Sequence, residues 1–477
     1  MAVVQFMVSL DLSVVNVGLP RIGTALGFDA VDLTWVIHAY ALTFGGLLLL
    51  GGKLADRYGR RRVLLLGLLL FGLASLAGGF AHHPGELIAA RAGQGVGAAA
   101  LAPAALALLT TTFPSGRVRI RAFGVWSAMN AAGGALGVLI GGLLTEYAGW
   151  EWVMFVNVPM AAVAVMLVRW GVAVDGPRTR AGRPDIAGAL TATAGLGLLV
   201  FGVLRTDQFP WTSPQTLITL ATAAALLVVF VRIERSTTGD RLVRPGLFAN
   251  RSVTGANGYN LLLGAAMASS FYFMSLYLQR VLHTDAATAG VMFLPFALGV
   301  VVGSVAAVRL GARLAPRALM IVGGLTTAAG FGWFALIDVN GTFLADVLGP
   351  SIVASIGFGL CLGPVVSTAT VGVADHETGT AAGLLNSSRQ IGAALGLAVL
   401  GTAAAHRTGD TDTPATLTAG YGLGLGLAAA AMLVAVAIAV LVLPSRTIPR
   451  DGDRTASDTP YGSQSTDSNQ EETHRGP

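Results

Sequence analysis

Uninterrupted apolar runs of about twenty residues recur along nearly the whole chain, and no other property limits its fold so tightly. Their approximate edges are 1–19, 33–50, 63–81, 87–110, 123–144, 152–170, 186–204, 216–233, 253–278, 289–308, 319–337, 343–366, 380–405 and 417–443. At about 1.5 Å of rise per residue, each run reaches across the roughly 30 Å hydrocarbon core of a bilayer. Lipid offers the backbone no hydrogen-bond partners, so every spanning segment must satisfy its own amides. The runs lack the strict alternation of a barrel strand, which leaves helices. The expected fold class is all-α: a polytopic membrane bundle of about fourteen helices grouped as six, two and six.

Composition agrees. Of the 477 residues, 54% are hydrophobic and only 12% are charged, against roughly 25% charged in a soluble globular protein. The net charge of +5 is no nucleic-acid signal, because the arginines sit in short loops between apolar runs. Cys361 is the single cysteine, so no internal disulfide can form. Lys53 is the only lysine; with the heavy use of Ala, Gly, Leu and Val this points to a GC-rich, actinobacterial genome. The first run begins at Met1 and resembles no cleavable signal peptide. Asp11 and Asn16 shorten its apolar length, so a start codon about ten residues upstream is expected.

Loop charge sets an expected orientation. One set of loops holds Lys53, Arg57, Arg60, Arg61, Arg62, Arg117, Arg119, Arg121, Arg178, Arg180 and Arg183. It continues with Arg232, Arg235, Arg241, Arg244, Arg309, Arg313 and Arg317. The opposite loops hold Arg21, Arg205, Arg280 and Arg407, beside the acids Glu146, Glu151 and Asp207. By the positive-inside rule, both termini are expected in the cytoplasm of a bacterial cell, with the chain multi-pass in the inner membrane. The segment after Leu443 is rich in Ser, Thr, Asp, Gly and Pro and reads as disordered.

An internal echo suggests two related halves. Lys53-Leu-Ala-Asp-Arg57 follows the second run, and Arg313-Leu-Ala-Pro-Arg317 follows the tenth. Eight runs separate them, as a six-helix repeat with a two-helix insertion would require. The expected units are an N-terminal bundle (1–170), two inserted helices with their linkers (171–251), a C-terminal bundle (252–443) and the tail (444–477).

The segment Gly52-Lys-Leu-Ala-Asp-Arg-Tyr-Gly-Arg-Arg-Arg62 carries more than loop charge. Gly52 and Gly59 suit a tight turn, while Asp56 can cap a helix or pair with Arg57 or Arg60. This loop resembles the cytoplasmic signature of the major facilitator superfamily. Further segments resemble that family's fourteen-helix drug:proton antiporter branch. They are Leu10-Asp-Leu-Ser-Val-Val-Asn-Val-Gly-Leu-Pro20 in the first run and Leu33-Thr-Trp-Val-Ile-His-Ala-Tyr40 in the second. Arg91-Ala-Gly-Gln-Gly-Val-Gly97 in the fourth and Leu384-Leu-Asn-Ser-Ser-Arg-Gln-Ile-Gly392 in the thirteenth complete the set. Two places depart from the branch. Its fifth-helix Gly-Pro-x-x-Gly-Gly is Gly137-Val138-Leu139-Ile140-Gly141-Gly142 here, and its Trp-Arg-Trp is Trp150-Glu151-Trp152. The packing glycines Gly137, Gly141 and Gly142 remain, the proline is gone, and a cation has become an anion.

The resemblance implies a proton-coupled multidrug efflux transporter working by alternating access, with a role in antibiotic resistance. An exporter dedicated to one secondary metabolite is the alternative. A receptor or intramembrane enzyme on the same scaffold fits less well, since deep acids and histidines are few. The implied partners are amphipathic small molecules, protons and the bilayer, with no nucleic acid and a monomer expected. The implied drive is the proton gradient, with no cofactor and no metal; neither a metal-spaced Cys/His cluster nor a nucleotide-cradling loop is visible. Some members of the branch carry an acid in the tenth span and accept dications; none stands at 289–308 here.

Independently of any family, Asp11 is anomalous. An acid in mid-span costs roughly 2.5–3.5 kcal/mol on insertion scales. A carboxyl held there can alternate between charged and neutral forms, as a proton-coupled carrier requires. A structural carboxylate bonded to Asn16 or to a neighbouring helix is the plainer alternative. Arg91 is expected to orient or discharge it. Candidates for a substrate cavity are Asn16, His38, Gln94, Asn130, Asn257, Tyr259, Asn260, Phe271, Asn386 and Arg389, whose polar or aromatic groups lie within apolar runs. Hydrogen bonding or packing inside the bundle is the competing role for them.

Overall fold

The computed structural model describes residues 1–29, 32–113, 117–173, 185–207, 209–236, 242, 245–311, 313–373, 378–409, 411 and 413–444. The tail at 445–477 and the linker arginines Arg178, Arg180, Arg183, Arg241 and Arg244 lie outside the described residues. Among those described, all regular structure is helical. The helices are α1 (Ala2–Leu26), α2 (Trp35–Tyr58), α3 (Arg60–Gly79), α4 (Pro84–Thr112), α5 (Arg117–Tyr147), α6 (Glu151–Phe155), α7 (Asn157–Gly171), α8 (Ile186–Leu204) and α9 (Pro214–Ser236). They continue with α10 (Arg251–Leu276), α11 (Ala286–Met292), α12 (Leu294–Leu310), α13 (Pro316–Phe334), α14 (Gly349–Ala369), α15 (Thr378–Thr408) and α16 (Pro414–Leu441). Among the described residues, eleven helical segments are long and apolar enough to cross a membrane; α5, α13 and α15 occupy three further expected runs.

The sequence explains where the helices start and stop. Gly27 ends α1 with φ 68°, and its amide bonds back to Gly23, the left-handed stop that glycine allows. Gly59, at φ 103°, separates α2 from α3 in the turn of the loop signature. Two runs that hydropathy renders continuous are each interrupted by a single turn residue, the backbone staying in the helical region. The run at 152–170 divides at Val156 into α6 and α7, and that at 289–308 divides at Phe293 into α11 and α12. Pro159 and Pro295 follow each break closely, and each removes one amide from the ladder.

Packing groups the helices. α1 lies on α5, while α4 lies between α2 and α3, with α7 against α3. In the later part, α10 packs on α15 and α16, and α14 packs on α12 and α13. Small residues set these approaches, as expected where lipid supplies no hydrophobic drive between helices. A Cβ on Gly67 would fall 2.9 Å from the Gly97 carbonyl, so α3 and α4 touch backbone to backbone. α8 and α9 pair with one another, and α8 also reaches α2 and α15. α9 is the most lipid-facing span, with only 11% of its apolar window buried.

Among the described residues, contacts join the two groups at three places: α2 with α15, α5 with α11 and α12, and α1 with α10 and α11. The last two meet at the chain ends of α1 and α5 remote from Met1. There Ser275 donates to the Asn16 carbonyl (2.9 Å) and Gln279 to that of Val17 (3.1 Å). Glu146 accepts from the Ala286 amide (3.3 Å) and pairs with Arg21 (3.1 Å).

Candidate functional site

Asp11 lies in the middle of α1, fully buried, where α4 and α7 bring it three polar side chains. Arg91 Nη1 donates to Asp11 Oδ2 at 2.8 Å, and the two side chains are 1% and 0% exposed. Asp11 Oδ1 accepts from Asn157 Nδ2 (2.8 Å) and Gln94 Nε2 (3.1 Å). Arg91 and Gln94 are three residues apart on α4 and therefore share a face. Gln94 also accepts from Arg91 Nη1 (2.8 Å) and donates to Ser75 Oγ on α3 (2.6 Å). Arg91 Nε donates to the Val36 carbonyl at 2.9 Å, and its guanidinium lies 4.5 Å from the centre of the Tyr40 ring. Asn157 is the first residue of α7, delivered to Asp11 by the break at Val156.

Opposite charges and three donors on one carboxylate offset the burial of an ion pair that would otherwise be prohibitive. The same arrangement makes a change of protonation consequential. Neutralising Asp11 would remove the counter-charge of Arg91 and oblige the surrounding donors to find other partners.

The sequence profile of the Major Facilitator Superfamily matches residues 1–397. The chain belongs to the major facilitator superfamily. The cephamycin export protein CmcT of Amycolatopsis lactamdurans is 42% identical over 424 residues, covering 87% of this chain and 85% of that protein. The puromycin resistance protein pur8 of Streptomyces alboniger is 42% identical over 401 residues, covering 83% and 79%. Among solved structures, a peptide transporter in complex with sulfate superposes with a TM-score of 0.65 at 18% identity, covering 93% and 94%. That likeness speaks for the fold alone.

The superfamily's motif residues occupy distinct places. In the loop signature, Asp56 pairs with Arg60 at 3.2 Å, Arg57 lies over the Tyr58 ring, and Gly52 faces Pro103 of α4 at contact distance. On α5, Gly137 and Gly141 press on the α1 backbone at Leu10 and Val14, whereas Gly142 meets the Ala286 carbonyl of α11. The motif thus has one face within its own group and one across the seam. Val138, in place of the branch proline, is buried, and α5 runs through it without a break. Glu151 opens α6, a position where a carboxylate suits the helix dipole.

The residues expected to line a cavity do not form one cluster. Gln94 belongs to the Asp11 network. Asn130 accepts from Gln5 (2.6 Å) and Ser9 (2.5 Å), tying α5 to α1. Asn16 donates to Leu12 of its own helix at 2.7 Å and is half-buried. His38 is fully buried, and among the described residues neither ring nitrogen has a hydrogen-bond partner. Asn257 donates to Val253 (2.8 Å), Tyr259 to the Met320 carbonyl (2.8 Å) and Asn260 to the Leu385 carbonyl (2.7 Å). These three are occupied with backbone inside the α10 packing. Phe271 stacks on Phe293 at 5.3 Å and meets Phe296 edge-on. Asn386 accepts from Arg389 at 3.2 Å, both half-buried on α15.

Sequence reasoning missed Asn157 and Ser75. Asn157 carried the same signal as Asp11, a polar side chain inside an apolar run, and only its fold partner was hidden.

Proposed function

We propose that this chain is a proton-coupled secondary transporter that exports amphipathic small molecules, with Asp11 as the carboxylate that binds the coupling proton. The observation that carries the reading is the sealed Asp11–Arg91 pair and its position on α1. Less than two helical turns beyond Asp11, the same helix presents the Asn16 and Val17 carbonyls that hold Ser275 and Gln279 across the seam. A shift of α1 on protonation therefore reaches the contacts that keep that end closed. Alternating access requires such a link between proton and seam.

In this reading the chain has fourteen spans in the inner membrane: two six-helix bundles (1–170 and 252–443) with α8 and α9 between them. Both termini are cytoplasmic, and the protein is driven by the proton gradient as a monomer without cofactor. Moving one charge through 100 mV supplies about 2.3 kcal/mol. Purified protein in liposomes, given an imposed pH gradient and a panel of amphipathic dyes, tests it. Gradient-driven accumulation that a protonophore abolishes is expected; accumulation indifferent to the protonophore would sink the proposal.

A second reading, export of one dedicated antibiotic, is favoured by relatives named for cephamycin and for puromycin. Resistance of an efflux-deficient host to a single compound in a broad panel would select it.

A further inference from the structure

Arg389 is a cation without a counter-charge. Its guanidinium donates to Asn386 Oδ1 at 3.2 Å, and among the described residues no carboxylate lies within 4 Å of it. The other arginine this deep, Arg91, has Asp11. Arginine does not shed its proton in proteins, so the charge at Arg389 is permanent.

The surroundings show where that charge points. α15 is an interior helix, in contact with α2, α8, α10, α14 and α16. Yet Ala382, Asn386, Arg389 and Ala393 all keep part of their surface accessible, at steps of four, three and four residues. That spacing is a single helical stripe. On one side of it, Leu385, Gly392 and the backbone and stem of Arg389 itself press on α10, the last at Gly264; on the other, Ser387 and Gln390 press on Gly45 of α2. An accessible stripe on a helix enclosed by neighbours faces an internal space, not lipid. The stripe lies between contacts to α10 and α2, one helix from each packing group, which is where an alternating-access carrier holds its cargo.

We infer that Arg389, steadied by Asn386, binds the acidic group of the cargo, so that the preferred substrates are amphiphiles bearing a carboxylate or a similar oxyanion. This rests on the export reading and adds a substrate class to it. Arginine's planar fork matches a carboxylate with two parallel hydrogen bonds, and the cargo would supply the charge that the fold withholds. Asn386 keeps the guanidinium from turning freely, as a preorganised anchor requires.

A matched pair of dyes tests this: a zwitterionic rhodamine with a free benzoate, and its methyl ester. Liposomes of phosphatidylcholine contain no anionic headgroup to compete. With wild-type protein and an imposed pH gradient, both dyes accumulate and the acid is preferred. Arg389→Gln lowers accumulation of the acid about tenfold or more, the loss of one charge-assisted pair, and leaves the ester within about twofold. Arg389→Lys keeps part of the acid transport, and its monodisperse behaviour in detergent shows that the fold tolerates the change. Equal loss of both dyes in Arg389→Gln, or no loss of the acid, overturns the inference. So does competition by added phosphatidylglycerol that abolishes the preference, which would make a lipid headgroup the occupant. Wild-type protein that moves the ester but not the acid overturns the inference and leaves the export reading standing. Wild-type protein that moves neither dye overturns the export reading itself.

Discussion

Gly142 of α5 and Gly290 of α11 lie backbone to backbone, such that a Cβ on Gly290 would fall 3.3 Å from the Gly142 Cα and 2.8 Å from the Val138 carbonyl. At these two positions no side chain larger than hydrogen fits unless a neighbour shifts.

A valine at Gly290 should therefore wedge the seam without disturbing either helix, both of which remain free to pack within their own group. We expect Gly290→Val to express and purify normally while gradient-driven accumulation falls about tenfold or more, since one unrelieved overlap costs about 1–3 kcal/mol. Spin labels on Tyr147 and Thr288 should report a longer distance than in the wild type. Unchanged transport with an unchanged distance would show that this contact does not gate.

The loop signature calls for a different test, because we propose that it sets conformational balance without touching cargo. The Asp56–Arg60 pair is largely exposed, with 60% of the Asp56 side chain accessible, and such a pair is worth about 0.5 kcal/mol or less. Asp56→Asn should lower transport of every substrate by one common factor of about two. Two unrelated dyes measured side by side decide this. Loss of one with the other spared would place the loop in substrate choice.

How much of this was legible in the sequence differs from element to element. The spans could be read because a bilayer demands length and apolarity, and both are countable along the chain. Asp11 could be read because an acid has no ordinary reason to stand in such a run. What could not be read was rotation about each helix axis. Several spans are apolar nearly all round, so no polar face fixes which residues meet. Asn157 reaches Asp11 and Tyr259 reaches the Met320 carbonyl, but both are buried polar side chains in apolar runs and look alike in one dimension. The breaks at Val156 and Phe293 were announced by Pro159 and Pro295, yet apolar neighbours on either side hid them.

The α11–α12 segment, Ala286–Leu310, contains Arg309 and no acid, and the charge on the α15 stripe is that of Arg389. Among the described residues, a guest with two positive charges would meet no carboxylate that is not already paired or at the rim. Monovalent, zwitterionic or neutral amphiphiles should be exported at least about tenfold better than dications, the difference one uncompensated charge makes. Resistance assays in an efflux-deficient host check this. Robust protection against a bisbiguanide at ordinary expression would contradict it.

Asp11 supports the sharpest prediction because a structural role and the proposed coupling role can be separated. Asp11→Asn mimics the protonated carboxyl but leaves Arg91 buried without its counter-charge, which costs about 3–5 kcal/mol where a buried pair is broken. Lower thermal stability in detergent is therefore expected. Replacing Arg91 by Gln in the same chain removes the stranded charge, so Asp11→Asn with Arg91→Gln should recover much of that stability. Asn157→Ala should cost less, about 1.5–3 kcal/mol for one hydrogen bond to a charged group. Coupling should behave otherwise. Both the Asp11→Asn single variant and the double variant should bind dye yet fail to accumulate it under an imposed pH gradient, because neither can exchange the proton that resets α1. A double variant that regains stability and also accumulates dye, with proton flux intact, would make Asp11 a structural carboxylate and move the coupling site elsewhere.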